Sequence, residues 1–138
     1  MYQTSDWIKA TSRLSKLTVQ GVLKWTPTEL ELNELPDPDD RPGRAFSADH
    51  KGKRYRVFEM KTRNYTDEDT FYWASEYYLD IFTQTNALGW VEFVTRSPSL
   101  PAVVNLWRTI ERKYAYQRGA LDDLLTDDED SEDSSPDE

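Results

Sequence analysis

The sequence contains no cysteine and a single histidine, His50. The absence of cysteine excludes disulfide bonds, a thiol nucleophile and zinc or iron sites with cysteine ligands. One histidine cannot form a histidine metal cluster. Catalysis, if there is any, must therefore use carboxylates, Lys, Ser, Thr or Tyr.

Long apolar runs are also absent. Residues 1–9 lack the apolar core of a signal peptide, and no apolar run reaches the length needed to span a bilayer. We therefore expect no membrane association and a cytoplasmic location, which would be the host cytoplasm if the chain is viral.

The net charge of −9 is concentrated at the C-terminal end. Residues 121–138 hold ten Asp or Glu and no Lys or Arg, so residues 1–120 carry 16 acids against 17 bases. This division predicts one near-neutral domain over 1–120, followed by a disordered acidic tail over 121–138. The tail could compete with nucleic acid for basic residues, recruit a basic partner or simply increase solubility, and the sequence leaves these alternatives open.

Hydrophobic periodicity predicts a single α+β domain with a mixed central sheet. The expected order is helix, strands, helix, strand, helix. The elements along the chain are a helix capped by Ser5, extended structure over 18–35, a loop over 36–43, a hairpin over 44–61 that turns at Lys51-Gly52, a helix over 67–86, a strand over 90–95 and a helix over 101–119.

The predicted helix over 67–86 determines the expected topology. Thr66 followed by three acids is typical of a helix N-terminus. An apolar stripe at helical spacing supports the assignment, and it consists of Phe71, Ala74, Tyr78, Ile81 and Phe82. Such a helix would be a crossover, so we expect 55–62 and 90–95 to be neighbouring parallel strands.

The triplet Glu59-Met60-Lys61 lies at the end of the strand that precedes this helix. In a strand, residues two apart point to the same face, so Glu59 and Lys61 should lie side by side. The triplet and the order of elements resemble the PD-(D/E)XK nuclease superfamily. That resemblance implies a Mg²⁺ cofactor, with Glu59 as a metal ligand and Lys61 as the residue that positions or helps to deprotonate the attacking water.

The resemblance also requires a second carboxylate from the preceding strand. Asp49 lies ten residues before Glu59, a spacing similar to that of compact members of the superfamily. If the hairpin turns tightly at Lys51-Gly52, however, Glu59 faces about Arg44, and Asp39 or Asp40 comes nearer. Both placements stay open at this point.

Basic and aromatic residues indicate which kind of molecule the chain binds. The cations suited to phosphate contacts are Lys51, Lys53, Arg54, Arg56 and Arg63. The aromatic cluster of Phe71, Tyr72, Trp73, Tyr77 and Tyr78 is suited either to stacking on bases or a partner, or to filling the core. We expect a nucleic-acid-binding protein with a metal-dependent nuclease site or, alternatively, a non-catalytic adaptor or inhibitor of a protein partner, such as a viral one.

Overall fold

The computed structural model describes residues 1–31, 34–35, 39–84 and 91–126. In these residues, helices lie against one face of a five-stranded sheet, which confirms the predicted α+β class and single domain. The elements are α1 Thr4–Val19, β1 Thr26–Thr28, β2 Arg41–His50, β3 Lys53–Tyr65, β4 Phe71–Gln84, β5 Val91–Arg96, α2 Pro101–Gln117 and α3 Asp122–Leu125.

The first helix, α1, begins one residue before the predicted cap at Ser5. The Asp6 carboxylate caps its first turn by accepting a hydrogen bond from the Gln3 backbone N–H at 2.8 Å. The buried face follows helical spacing and consists of Trp7, Thr11, Leu14 and Thr18. The Trp25 indole then donates a hydrogen bond to the Thr18 hydroxyl at 2.9 Å, which ties the segment before β1 to the end of α1.

The described strands form an antiparallel meander in the order β1-β2-β3-β4-β5. The predicted hairpin at Lys51-Gly52 is confirmed, because both residues have positive φ, 52° and 79°, as a type I′ turn requires. The prediction of a mixed sheet is wrong. Every strand pair among the described residues is antiparallel.

The predicted helix over 67–86 is also wrong, since this segment contains β4. Its aromatic and β-branched residues favour a strand, and Leu79 and Asp80 are both fully buried because consecutive strand residues point to opposite faces of the sheet. The apparent helical stripe resulted from apolar residues on both faces of the strand, which periodicity alone cannot distinguish from a helix. Residues 85–86 lie outside the described residues.

This correction changes the relation between β3 and β5. The two strands flank β4 on opposite sides and do not pair with each other. In the part of the chain that the structure describes, β3 and β5 are therefore not parallel neighbours and no crossover helix joins them, so a central element of the nuclease-like order is not observed.

The core lies on both faces of the sheet. On the front face, α2 packs Val103, Leu106, Trp107 and Ile110 against the strands, where the Trp107 ring centroid lies 5.4 Å from that of Phe46. On the back face, Leu30, Ala45, Phe58 and Met60 form a smaller cluster, and Leu35 packs against it. The described chain thus buries both sides of the central strands.

The last long helix, α2, begins at Pro101, as predicted. It ends in a Schellman motif, because Gly119 has φ +68° and the Ala120 N–H bonds to the Ala115 carbonyl at 3.0 Å. The helix α3 then lies within the predicted tail, whose residues 127–138 are outside the described part. No described helix is both long and apolar enough to cross a membrane.

Candidate functional site

The strands β3 and β4 extend beyond their neighbours. The pairing of β2 with β3 ends at Arg41 and Lys61, and the pairing of β5 with β4 ends at Asp80 and Arg96. Beyond the pair of Lys61 and Ser75, β3 and β4 continue to the pair of Tyr65 and Phe71 as a two-stranded ribbon. This ribbon has no flanking strand among the described residues. We call residues 61–75 the distal hairpin.

The turn of the distal hairpin is organised by Asp67. Its carboxylate accepts hydrogen bonds from the backbone N–H groups of Asp69 at 2.9 Å and Thr70 at 3.0 Å. These bonds hold the pKa of Asp67 below its usual value. The acids that suggested a helix N-terminus in the sequence therefore form a tight turn.

One face of the distal hairpin carries both cations and aromatic rings. Tyr65 lies opposite Phe71, and Arg63 lies opposite Trp73. The Arg63 guanidinium carbon is 5.0 Å from the Phe71 ring centroid and 5.6 Å from that of Trp73. Lys61 lies next on the same side of β3. We call these five residues the aromatic face.

The rings of the aromatic face are exposed to an unusual degree. Tyr65, Phe71 and Trp73 keep 57%, 40% and 45% of their surface accessible, and Tyr72, on the opposite face, keeps 56%. None of the four belongs to either core cluster. A contiguous exposed aromatic patch of this kind marks a binding surface more often than a structural one. Tyr77 and Tyr78, in contrast, are partly buried against the core, so the aromatic cluster seen in the sequence has two roles.

The charges around this face are mixed. Lys61 and Arg63 supply two positive charges, whereas the turn supplies Asp67, Glu68 and Asp69. The distal hairpin therefore does not form the continuous positive stripe that a phosphate backbone prefers.

Glu59 and Lys61 lie on the same face of β3, as the strand prediction required. The Glu59 carboxylate accepts hydrogen bonds from the Ser75 hydroxyl at 2.9 Å and the Tyr77 hydroxyl at 3.4 Å. Burial and the nearby Glu59 charge raise the pKa of Tyr77. Gly43 allows the close approach of Glu59, because a Cβ at position 43 would lie 2.7 Å from the Glu59 Oε1.

The structure separates Asp49 from Glu59. Asp49 lies opposite Arg54 and forms an ion pair with it at 2.7 Å, which lowers the Asp49 pKa. Arg54 is five residues before Glu59 on the same strand, about 17 Å at the usual rise. Of the two placements left open by the sequence, the tight turn is therefore observed.

Asp39 and Asp40 lie at the start of β2, near Lys61 in the register. The Asp40 side chain is buried, and its charge contributes to the raised pKa of Tyr78, which faces away from Glu59. Within the described ranges, no three or more His, Asp or Glu residues come together as a group that could hold a metal ion.

The basic residues identified in the sequence are distributed over three places. Lys51, Lys53 and Arg54 lie at the β2–β3 turn, at the opposite end of the strands from the distal hairpin. Arg56 is buried beneath the segment that precedes β2, and only Arg63 belongs to the aromatic face. These cations do not form one surface.

Sequence reasoning missed a buried ion cluster on the back face. Asp80 is fully buried and accepts hydrogen bonds from Arg56 at 2.7 Å and from Arg96 at 2.6 Å. Glu34 completes the cluster by an ion pair with Arg56 at 3.2 Å. The alternation of Arg54, Arg56 and Phe58 on one face gave a signal for an inward-facing arginine, but its partner was hidden while 67–86 was assigned to a helix.

No family model, curated protein or solved structure matches this chain. The resemblance to PD-(D/E)XK nucleases therefore stays a prediction from the sequence. Any functional proposal depends on the geometry described above.

Proposed function

We propose that this chain is a non-catalytic interaction protein, an adaptor or inhibitor that binds a protein partner through the aromatic face. The observation that carries the proposal is the exposure of Tyr65, Phe71 and Trp73 around a stacked Arg63 on a projecting ribbon. Trp, Tyr and Arg are the residues most enriched in the energetic centres of protein interfaces.

Contacts within the ribbon also favour binding. The aromatic side chains project from paired strands, and the Arg63 guanidinium already contacts two rings. Side chains that are ordered before binding lose less conformational entropy when a partner covers them. A small patch of this composition can therefore supply a useful binding free energy.

The position of Glu59 favours this proposal over a nuclease. Its carboxylate is engaged by Ser75 and Tyr77, and Asp49 is engaged by Arg54 at a different level of the sheet. A phosphodiesterase site needs carboxylates that share a metal ion, and the described residues contain no group of three or more His, Asp or Glu that could hold one.

Single-stranded nucleic acid is the second candidate ligand. The presence of Lys61 and Arg63 on the same face as Tyr65, Phe71 and Trp73 favours it, because bases stack on aromatic rings while cations contact the phosphates. The three acids of the turn argue against it, since they repel a polyanion at one end of the same ribbon. The charge balance therefore places a protein partner first.

The proposal can be tested with Trp73→Ala and Arg63→Ala. Proteins crosslinked to the wild-type chain in cells of its source would be identified by mass spectrometry, purified and titrated by calorimetry. We expect either substitution to weaken the binding of a true partner by about 2 kcal/mol, or about thirtyfold. Tyr116→Ala is the matched control, because Tyr116 is 78% exposed but lies on α2.

A parallel titration would examine the second candidate. Fluorescence anisotropy with single-stranded DNA and RNA oligonucleotides at low salt should show no binding that depends on Trp73. Binding lost in Trp73→Ala but kept in Tyr116→Ala would instead establish the nucleic-acid function. Partner affinities that are unchanged in both hairpin variants would refute the proposed site.

A further inference from the structure

Part of the outer edge of β4 has backbone groups that no described strand pairs. Leu79 marks the direction of this edge, because its N–H donates to the Ser97 hydroxyl at 2.9 Å and its carbonyl accepts the Ser97 N–H at 2.8 Å. Residues two apart in a strand direct their backbone groups to the same side. Phe71, Trp73, Ser75 and Tyr77 therefore also direct their N–H and C=O groups away from β3, where no described strand pairs with them.

This edge lacks the devices that usually protect edge strands. Proteins block such edges with Lys, Pro, bulges or very short strands. Residues 71–78 contain no Lys and no Pro, and their pairing with β3 is regular throughout. The irregularity in β4–β5 pairing lies further along, between Ile81 and Phe82. The edge is thus open to the addition of another strand.

We propose that a second copy of this chain adds its own β4 to this edge, antiparallel, with Ala74 on the two-fold axis. Symmetric pairing about Ala74 brings all four outward-directed residues into hydrogen-bonded positions. A centre at Ser75 would place Phe71 against Leu79, whose backbone groups Ser97 already occupies. A centre at Glu76 would place two like charges directly opposite each other.

The register about Ala74 is also complementary in its side chains. Phe71 of one copy lies opposite Tyr77 of the other, and Trp73 lies opposite Ser75. On the other face, Tyr72 lies opposite Glu76, and the two Ala74 residues allow close approach at the axis. Antiparallel pairing over this length supplies about eight backbone hydrogen bonds.

Strand addition at the edge leaves the faces of the sheet accessible. The two distal hairpins would form one four-stranded surface, in which the aromatic faces of both copies adjoin. The acidic turn at Asp69 would come level with Leu79 of the second copy, where β5 ends at Arg96. This self-association does not depend on the proposed partner, although it would double the binding surface.

Engineered cysteines test the register directly, because the chain has no cysteine of its own. In Ala74→Cys, the two thiols would meet at a non-hydrogen-bonded pair, whose Cα separation of about 4.5 Å suits a disulfide. We expect mild oxidation to convert Ala74→Cys to a covalent dimer. Thr62→Cys is the matched control, because Thr62 pairs with Ala74 inside the same hairpin and should stay monomeric on non-reducing gels.

Sedimentation velocity over a wide concentration range tests the association itself. Ser75→Pro removes an outward N–H and the hydroxyl that donates to Glu59, but no N–H of the β3–β4 ladder, so it should preserve that ladder and weaken the dimer at least about tenfold. Ser75→Ala removes the hydrogen bond to Glu59 but keeps the N–H, and it should dimerise like the wild type. If circular dichroism shows that Ser75→Pro is unfolded, Trp73→Lys is the substitute, because an edge lysine opposes strand pairing.

Two results would overturn the proposal. One is a wild-type chain that stays monomeric at all concentrations, with no preference for disulfide formation by Ala74→Cys. The other is a dimer whose dissociation constant is unchanged in folded Ser75→Pro or Trp73→Lys. Partner binding by a monomeric chain would refute this inference while leaving the proposed function intact.

Discussion

Asp80→Asn is expected to be among the most destabilising single substitutions in the described chain. Asp80 is fully buried, and its two oxygens accept hydrogen bonds from Arg56 and Arg96. Asparagine keeps the shape of the side chain but removes the negative charge. The two guanidinium groups would then share only the Glu34 carboxylate, which lies 3.2 Å from Arg56 and is one-third exposed.

The magnitude follows from the burial of the cluster. The side chains of Arg56 and Arg96 are only 10% and 22% exposed, so water can replace little of the lost charge. Removing one partner from a buried ion pair costs about 3 to 5 kcal/mol. A domain of this size usually has a free energy of unfolding of about 5 to 15 kcal/mol, so the loss would be a large part of its stability.

Urea denaturation followed by circular dichroism would measure this change. Asp49→Asn is the matched control, because the Asp49–Arg54 pair has the same chemistry but side chains that are 66% and 42% exposed. We expect the control to cost no more than about 1 kcal/mol. Both substitutions remove one negative charge from an ion pair with arginine. The difference between their losses in free energy of unfolding therefore measures the contribution of burial.

A triple substitution separates two contributions to the free energy of unfolding. One is the cost of leaving buried charge unpaired, and the other is the net contribution of the whole ion cluster. Replacing Arg56, Asp80 and Arg96 together with Met, Leu and Met leaves no buried charge without a partner, so it should cost less than Asp80→Asn alone. A loss below about 1 kcal/mol in Asp80→Asn would refute the reasoning. So would a triple variant that is less stable than the single one.

Two further predictions concern close packing and pH. Gly43→Ala should destabilise the fold by about 1 to 3 kcal/mol, measured by thermal denaturation, because the new Cβ would lie 2.7 Å from the Glu59 Oε1 and 2.9 Å from the Glu59 carbonyl oxygen; an unchanged melting temperature would contradict it. Burial, together with the hydrogen bond to Glu76, raises the pKa of Tyr78 to about 12. Because the folded value lies above the ordinary value of about 10, the free energy of unfolding should fall as the pH rises from about 10 to about 12, and Tyr78→Phe should remove a late-ionising component from the phenolate absorbance.

The sequence correctly predicted the elements whose pattern of apolar residues or turn residues fits only one type of secondary structure. The apolar spacing of α1, Pro101 at the start of α2 and Lys51-Gly52 between alternating strands were each decisive. The position of Glu59 and Lys61 on one face followed from the same period of two.

The sequence could not predict β4, and the error spread from there. In 71–84, large residues lie on both faces, because the front packs under α2 and the back holds Tyr78, Asp80 and Phe82. A strand with two occupied faces has no simple alternation of polar and apolar residues. The ion cluster and the distal hairpin both contain residues of β4. Neither could therefore be predicted while this segment was assigned to a helix.

The buried cluster also determines the geometry of the aromatic face. Arg56, Asp80 and Arg96 lie in one row across three strands, so a slip of one residue in β3–β4 would turn the Asp80 side chain to the other face and separate the ions. The penalty for unpaired buried charge therefore opposes every alternative register of the long hairpin. That register places Arg63 opposite Trp73 and Tyr65 opposite Phe71, far from the cluster itself. A polar cluster that adds little net stability can in this way specify which side chains the distal hairpin presents, and which backbone groups of β4 face outward.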